Sequence, residues 1–194
     1  MKSLAALALL ATAGCMTTSA PQRGFFADLS SLCGKAFAGR ITSPPAAADA
    51  DFAGKTMVMH VRECSADTIR VPFHVADDHS RTWVITRVVT GMGTGLRLKH
   101  DHRHKDGSED KVTQYGGDSV TPVAAARQEF PADQFTKALL IREGNTAGAN
   151  NVWAVEVIPG RTFAYELRRP NRFFRVEFDL TKPVAAPPAP WGSR

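Results

Sequence analysis

From residue 55 onward, apolar and polar positions alternate with a period of two, and turn-forming residues interrupt the alternation at strand-like intervals. The alternating segments are 56–64, 68–75, 81–89, 96–104, 112–115, 152–158, 162–168 and 173–180. Between them lie Ser65-Ala66-Asp67, Asp77-Asp78, a glycine-rich stretch at 90–95, Asp106-Gly107, Pro159-Gly160 and Pro170-Asn171. Turns this short join neighbours as antiparallel hairpins, because parallel strands need long crossovers. Upstream, residues 25–32 fit a short amphipathic helix that Gly34 stops, and 37–42 begin the first strand. Ser43-Pro44-Pro45 opens a loop, since proline withholds ladder donors. The irregular stretch 116–150 is expected to hold one more strand near Gln128-Glu129-Phe130 and a short helix at 132–140.

Eight to ten sequential antiparallel strands leave two open edges, and closing the sheet into a barrel removes them without crossovers. A sandwich is the rival, but it usually needs Greek-key connections that nothing here requires. The segment Leu32-Cys33-Gly34-Lys35-Ala36-Phe37-Ala38-Gly39 resembles the Leu-x-Gly-x-Trp-x-Gly opening of lipocalin-like (calycin) barrels. Here two residues separate glycine from the aromatic, and Phe37 stands where that family has Trp. The resemblance implies an all-β fold: an antiparallel meander of 8–10 strands closed into a barrel behind a short N-terminal helix. Such barrels enclose a cavity for one small ligand.

Face parity says which side chains point inward. If Val89 pairs with Leu96 across the glycine turn, Arg87 falls opposite Leu98, Ile85 opposite His100 and Trp83 opposite His102. The other face of the second strand carries Arg97, Lys99, Asp101, Arg103 and Lys105, which only solvent can host. The histidines therefore face inward. The same alternation turns Met57, Met59 and Val61, Ile69 to Val75, Trp153 to Val157, Phe163 to Leu167 and Phe174 to Leu180 toward the interior. The inferred interior is apolar with sparse polar groups, the make-up of a small-molecule pocket. Its expected ligand-binding residues are Trp83, Ile85, Arg87, Leu98, His100, His102 and Tyr165. An inward arginine needs a partner, so Arg87 should meet either an anionic ligand or Glu63 in a filled core.

The run His100-Asp101-His102-Arg103-His104 opens a different chemistry. Histidines at i and i+2 on a strand lie roughly 6.5–7 Å apart, so His100 and His102 could share one metal ion or bind heme. The third ligand has no diagnostic spacing; Glu109, Asp110, Tyr115 and Asp118 are the candidates.

Composition narrows the function classes. Of 194 residues, 43% are hydrophobic and 22% charged, which is globular composition. The net charge of +5 is spread without a basic block, so nucleic acid is not an expected partner. No nucleophile elbow, zinc-protease helix, phosphate loop or dinucleotide fingerprint occurs, and the sequence leans away from an enzyme.

The N-terminus reads as an address. Met1-Lys2-Ser3 is followed by eight Leu and Ala residues at 4–11, signal-like and too short to span a bilayer. The ending Thr12-Ala13-Gly14-Cys15 resembles the lipobox of bacterial lipoproteins, although Thr12 stands where that pattern prefers Leu. The resemblance implies lipidation of Cys15, with palmitate among the attached chains. Because Met16 and not Asp follows Cys15, it favours the outer membrane, with the protein facing the periplasm. Cys33 and Cys64 then remain as an even pair in an oxidising compartment, where a disulfide is expected. The expected organisation is a signal peptide at 1–14, a tether at 15–24, one barrel domain at 25–182 and a Pro-rich exposed tail at 183–194.

Three functions remain open from these residues. The leading one is an envelope lipoprotein whose barrel binds a small amphipathic or acidic lipid-like molecule and requires no cofactor. The others are a metal- or heme-binding protein using His100 and His102, and a packed interaction module whose tail meets an envelope partner.

Overall fold

The computed structural model describes residues 20–90, 93–120 and 126–193. The expected signal peptide and Cys15 lie outside the described residues. Helix α1 (Ala20–Ser30) leads into β1 (Ala36–Ile41). The strands β2 (Met57–His60), β3 (Glu63–Cys64), β4 (Thr68–Val75), β5 (Asp78–Thr90), β6 (Gly93–His102) and β7 (Tyr115–Asp118) follow. The second half holds β8 (Arg127–Pro131), α2 (Gln134–Arg142), β9 (Val152–Ile158), β10 (Thr162–Arg169) and β11 (Arg172–Val184).

Strands consecutive in the chain pair antiparallel except that β2 passes β3 to pair with β4 and that β7 and β8 form no ladder, and β11 pairs with β1. The sheet order is β7-β6-β5-β4-β2-β1-β11-β10-β9-β8, with β3 beside β4, a nearly closed antiparallel barrel. The seam falls mid-chain, between β7 and β8. Among the described residues two backbone bonds cross it: Val120 N–H to Glu129 O at 3.1 Å and Asp133 N–H to Gly116 O at 3.0 Å. A Cβ on Gly117 would sit 1.8 Å from the Pro131 carbonyl oxygen, so the close approach requires glycine there. Helix α2 reinforces the seam. Its cap Asp133 accepts from Thr136 N–H at 2.8 Å, and the buried Thr136 hydroxyl both donates to Gly116 O and accepts from Gly116 N–H.

Several elements differ from their expected bounds for identifiable reasons. The strand expected at 56–64 breaks in two because Val61 pairs with the helix exit: its N–H donates to Lys35 O and its carbonyl accepts from Gly34 N–H at 2.7 Å. The disulfide Cys33–Cys64 ties the same junction, with the Cα atoms 6.3 Å apart. The strand expected at 112–115 starts only at Tyr115, because Asp110 Oδ1 takes the Val112 N–H at 2.7 Å in a local turn. The register across the glycine turn is two residues away from the expected one. Arg87 pairs with Leu96, Ile85 with Leu98, Trp83 with His100 and Arg81 with His102. A shift of two preserves which face each side chain occupies.

The inward sets pack as one core in which Phe37, Met59, Ile85, Leu98, Val155 and Phe178 are all fully buried. Each such side chain stabilises the fold by roughly 1.5–3 kcal/mol. Outside, Glu166 lies between Arg127 and Arg175, and Arg175 also reaches Glu156 at 3.0 Å and Glu177 at 2.7 Å. β11 continues two residues past the expected barrel boundary, with Val184 opposite Ala36. Residues 185–189 are mostly exposed, but the end of the tail is seated: Pro190 is buried and Trp191 N–H donates to His79 O at 3.0 Å.

Candidate functional site

One end of the barrel is stopped and the other is open. Helix α1 packs its fully buried Phe25 and Leu29 into the core, and Phe26 lies 4.3 Å beneath the Arg87 guanidinium. At the opposite end of β5, roughly 20 Å away along the strand, Arg81 stands at the rim of a cavity of about 260 Å³.

The inner wall of the cavity is built from rings. Trp83 stacks on Tyr165 at 4.4 Å between centroids and on Phe73 at 4.8 Å. Across from them His100 stacks on Tyr115 at 4.3 Å, and Trp153 tilts against both. These side chains meet because β5, β6, β7, β9 and β10 each present inward residues toward the same end: Trp83 is opposite His100, His100 opposite Tyr115, and Trp153 opposite Leu167, two residues along β10 from Tyr165.

Hydrogen bonding assigns the polar atoms. His100 Nδ1 lies 3.0 Å from the Tyr115 carbonyl oxygen, which can only accept, so Nδ1 carries the proton. His100 Nε2 therefore accepts from the Tyr165 hydroxyl at 2.8 Å, and the Tyr165 oxygen in turn accepts a side-chain hydrogen bond from Trp83, which leaves it one further lone pair. His102 Nε2 is 3.4 Å from the Tyr115 hydroxyl. Burial pulls the His100 pKa down to about 3, and burial with the nearby Arg81 charge pulls His102 down to about 4. Burial likewise pushes Tyr115 up to about 12 and raises Tyr165 well above its ordinary value. At neutral pH the wall is thus uncharged. Its capacity for an anion resides in the rim.

Three arginines line that rim: Arg81, Arg169 and Arg172. Arg172 is held by the buried carboxylate of Asp49, and Arg81 pairs with Asp78. Arg169 donates to the neutral side-chain oxygen of Asn151 at 2.9 Å and has no carboxylate within salt-bridge distance among the described residues. Asp110 also faces the cavity, but its carboxylate is occupied by Val112 N–H and lies 3.8 Å from His104 Nε2.

The residues singled out from the sequence divide into two groups. Trp83, His100, His102 and Tyr165 line the cavity together. Ile85 and Leu98 form the fully buried layer beneath it and do not border the open space. Arg87 is not at the cavity, and Glu63 does not meet it, bonding instead to Arg62 and Arg70. Sequence reasoning missed Arg81, Arg169 and Arg172 as inward residues, yet parity held the signal. Each lies two positions beyond an inward residue, namely Trp83, Leu167 and Phe174. At a strand end an arginine reads as solvent-facing, and only the closed barrel turns that face into a mouth.

For metal binding the geometry is less accommodating. Both His100 ring nitrogens are engaged by Tyr115 and Tyr165, and no group of three ligating side chains suited to a metal ion occurs among the described residues. A larger depression of about 620 Å³ lies over β1, β10 and β11, but Arg40, Glu177 and Asp179 make it a shallow charged surface on the outside of the barrel. Comparison with protein-family models, curated proteins and solved structures finds no match to this chain.

Proposed function

We propose that the protein is an envelope lipoprotein whose barrel binds a small amphipathic, acidic, lipid-like molecule through its open end. The observation that carries the reading is the cavity of about 260 Å³ with an apolar, ring-built wall, neutral hydrogen-bonding groups and an arginine-bearing rim. Apolar lining supplies affinity, and sparse polar groups fix orientation. In this reading Trp83 packs the ligand body, His100, His102 and Tyr165 orient it, and the arginines of the rim meet its charge. The layer of Ile85 and Leu98 supports the floor. Cys15 carries the lipid that tethers the barrel to the outer membrane on its periplasmic side. Arg87, stacked on Phe26 at the stopped end, takes no part.

Native mass spectrometry of the full chain released from detergent tests the reading. Excess mass removed by mild organic extraction supports it and identifies the ligand in the same spectrum. Excess mass removed only by a chelator moves the function to metal at His100 and His102. A bare mass that accepts no added amphipathic acid overturns the reading in favour of a packed barrel serving a protein partner.

A further inference from the structure

The cavity constrains its occupant more tightly than the word amphipathic does. Its volume of about 260 Å³ is short of the ~300–1,000 Å³ usual for ligand pockets. At the ~30 Å³ that one water occupies in the liquid, it equals roughly nine waters, enough for a substituted ring. Among the described residues, the core leaves the cavity no channel down the barrel axis. Below Trp83 and His100, the side chains of Ile85, Leu98, Val155 and Phe163 are fully buried in one packed core. A long acyl chain therefore has no place to lie. The walls are built of rings: Trp83, His100, Tyr115, Trp153, Tyr165 and Phe174 all border the space. Flat rings pack against ring faces in offset or edge-on contact, which favours a planar guest.

The polar groups at the two ends differ in kind. At the rim, Arg169 is the cation whose hydrogen-bond partner is neutral, so an anion there meets a charge not already neutralised by a carboxylate. At the wall, the Tyr165 hydroxyl has spent its proton on His100 Nε2 and already accepts from Trp83, so it offers a ligand one remaining acceptor lone pair. Arg169 and Tyr165 sit on one face of β10, four residues and roughly 13 Å apart along the strand, a span that a substituted ring bridges once both side chains lean inward. Resting on the ligand-binding reading above, we infer that the ligand is a planar aryl carboxylate with a hydroxyl or N–H donor at its far end. Its carboxylate sits at Arg169 and its donor at Tyr165 Oη.

Isothermal titration with four probes tests this: 4-hydroxybenzoate, benzoate, methyl 4-hydroxybenzoate and octanoate. The hydroxy acid is expected to bind at least ten-fold more tightly than each of the others. Arg169→Gln should erase the preference for acid over ester, and Tyr165→Phe the preference for hydroxybenzoate over benzoate. Thermal unfolding of both variants confirms that they fold. Tighter binding of octanoate than of the aryl acids overturns the inference while leaving an acid-binding barrel. Unchanged preferences in the two variants overturn it as well. Failure of all four probes to bind at millimolar concentration removes the ligand-binding reading itself.

Discussion

The two ends of the barrel are made from the same materials and do opposite things. Each has an arginine from β5 against a phenylalanine ring: Arg87 over Phe26 at 4.3 Å at one end, Arg81 over Phe52 at 5.4 Å at the other. At the stopped end the helix delivers Phe25 and Leu29 into the core at 0% exposure. At the open end the inward rings carry hydroxyls and ring nitrogens, and a loop, a hairpin tip and the end of α2 surround them without filling the space. Apolar groups that meet a matching surface close up, whereas polar rings pointing at one another keep their geometry and leave a gap. A cation in a barrel strand thus faces a cavity only where nothing apolar stoppers that end.

The contrast breaks most visibly at the stopper. Phe25→Ala should cost about 3–5 kcal/mol in denaturant unfolding, while leaving the cavity lining chemically intact; an unchanged midpoint would mean that α1 is not part of the core. Next in size, replacing Cys33 and Cys64 together by Ser should lower stability by about 3–4 kcal/mol in the chain-entropy account, since the bridge spans a separation of 31 residues. A loss below about 1 kcal/mol would show that the helix exit is held by its backbone bonds to Val61 alone.

The open end should reveal itself through pH. His100 and His102 have folded values of about 3 and about 4 against an ordinary 6.5, because burial disfavours their charged forms. Below pH 6.5 the unfolded chain takes up protons that the folded one refuses. Stability is therefore full above 6.5 and falls, by about 1.4 kcal/mol per pH unit for each histidine, as the pH drops toward the folded values. His74, buried at 3% exposure and also lowered to about 4 mainly by burial, acts in the same direction. In His102→Gln the slope between pH 6.5 and 5 should shrink measurably; an identical slope would show that His102 is not held neutral. The smallest effect belongs to Arg87→Gln. Loss of its ring contact should cost about 0.5–1 kcal/mol and leave the affinity for an anionic ligand unchanged, whereas a ten-fold weaker affinity would move the site to the stopped end.

Much of this architecture was legible in the chain. Period-two alternation with short turns is a local property, and it carried the meander, the inward sets from Met57 to Leu180 and the outward direction of Arg97, Lys99, Asp101 and Arg103, although Asp101 is not solvent-exposed but buried between Arg70 and Arg103. The disulfide between Cys33 and Cys64 was likewise expected and is present. Half of the candidate site was legible too, since Trp83, His100, His102 and Tyr165 line the cavity. The misplaced residues were Ile85, Leu98 and Arg87, and the reason is depth. Parity says inside or outside, but it carries no coordinate along the barrel axis.

That distinction separates what the linear order of residues specifies from what assembly adds. Side-chain facing, turn positions and the antiparallel neighbour relation arise from contacts between residues close in sequence, so a pattern of two and a proline or glycine suffice to state them. The seam at Gly117, the level at which β5, β6 and β10 meet, and the pairing of Arg172 with Asp49 join residues far apart in the chain. Their energies depend on the barrel closing, and closing left Arg169 beside a neutral partner at the mouth while it placed Arg87 on the stopper.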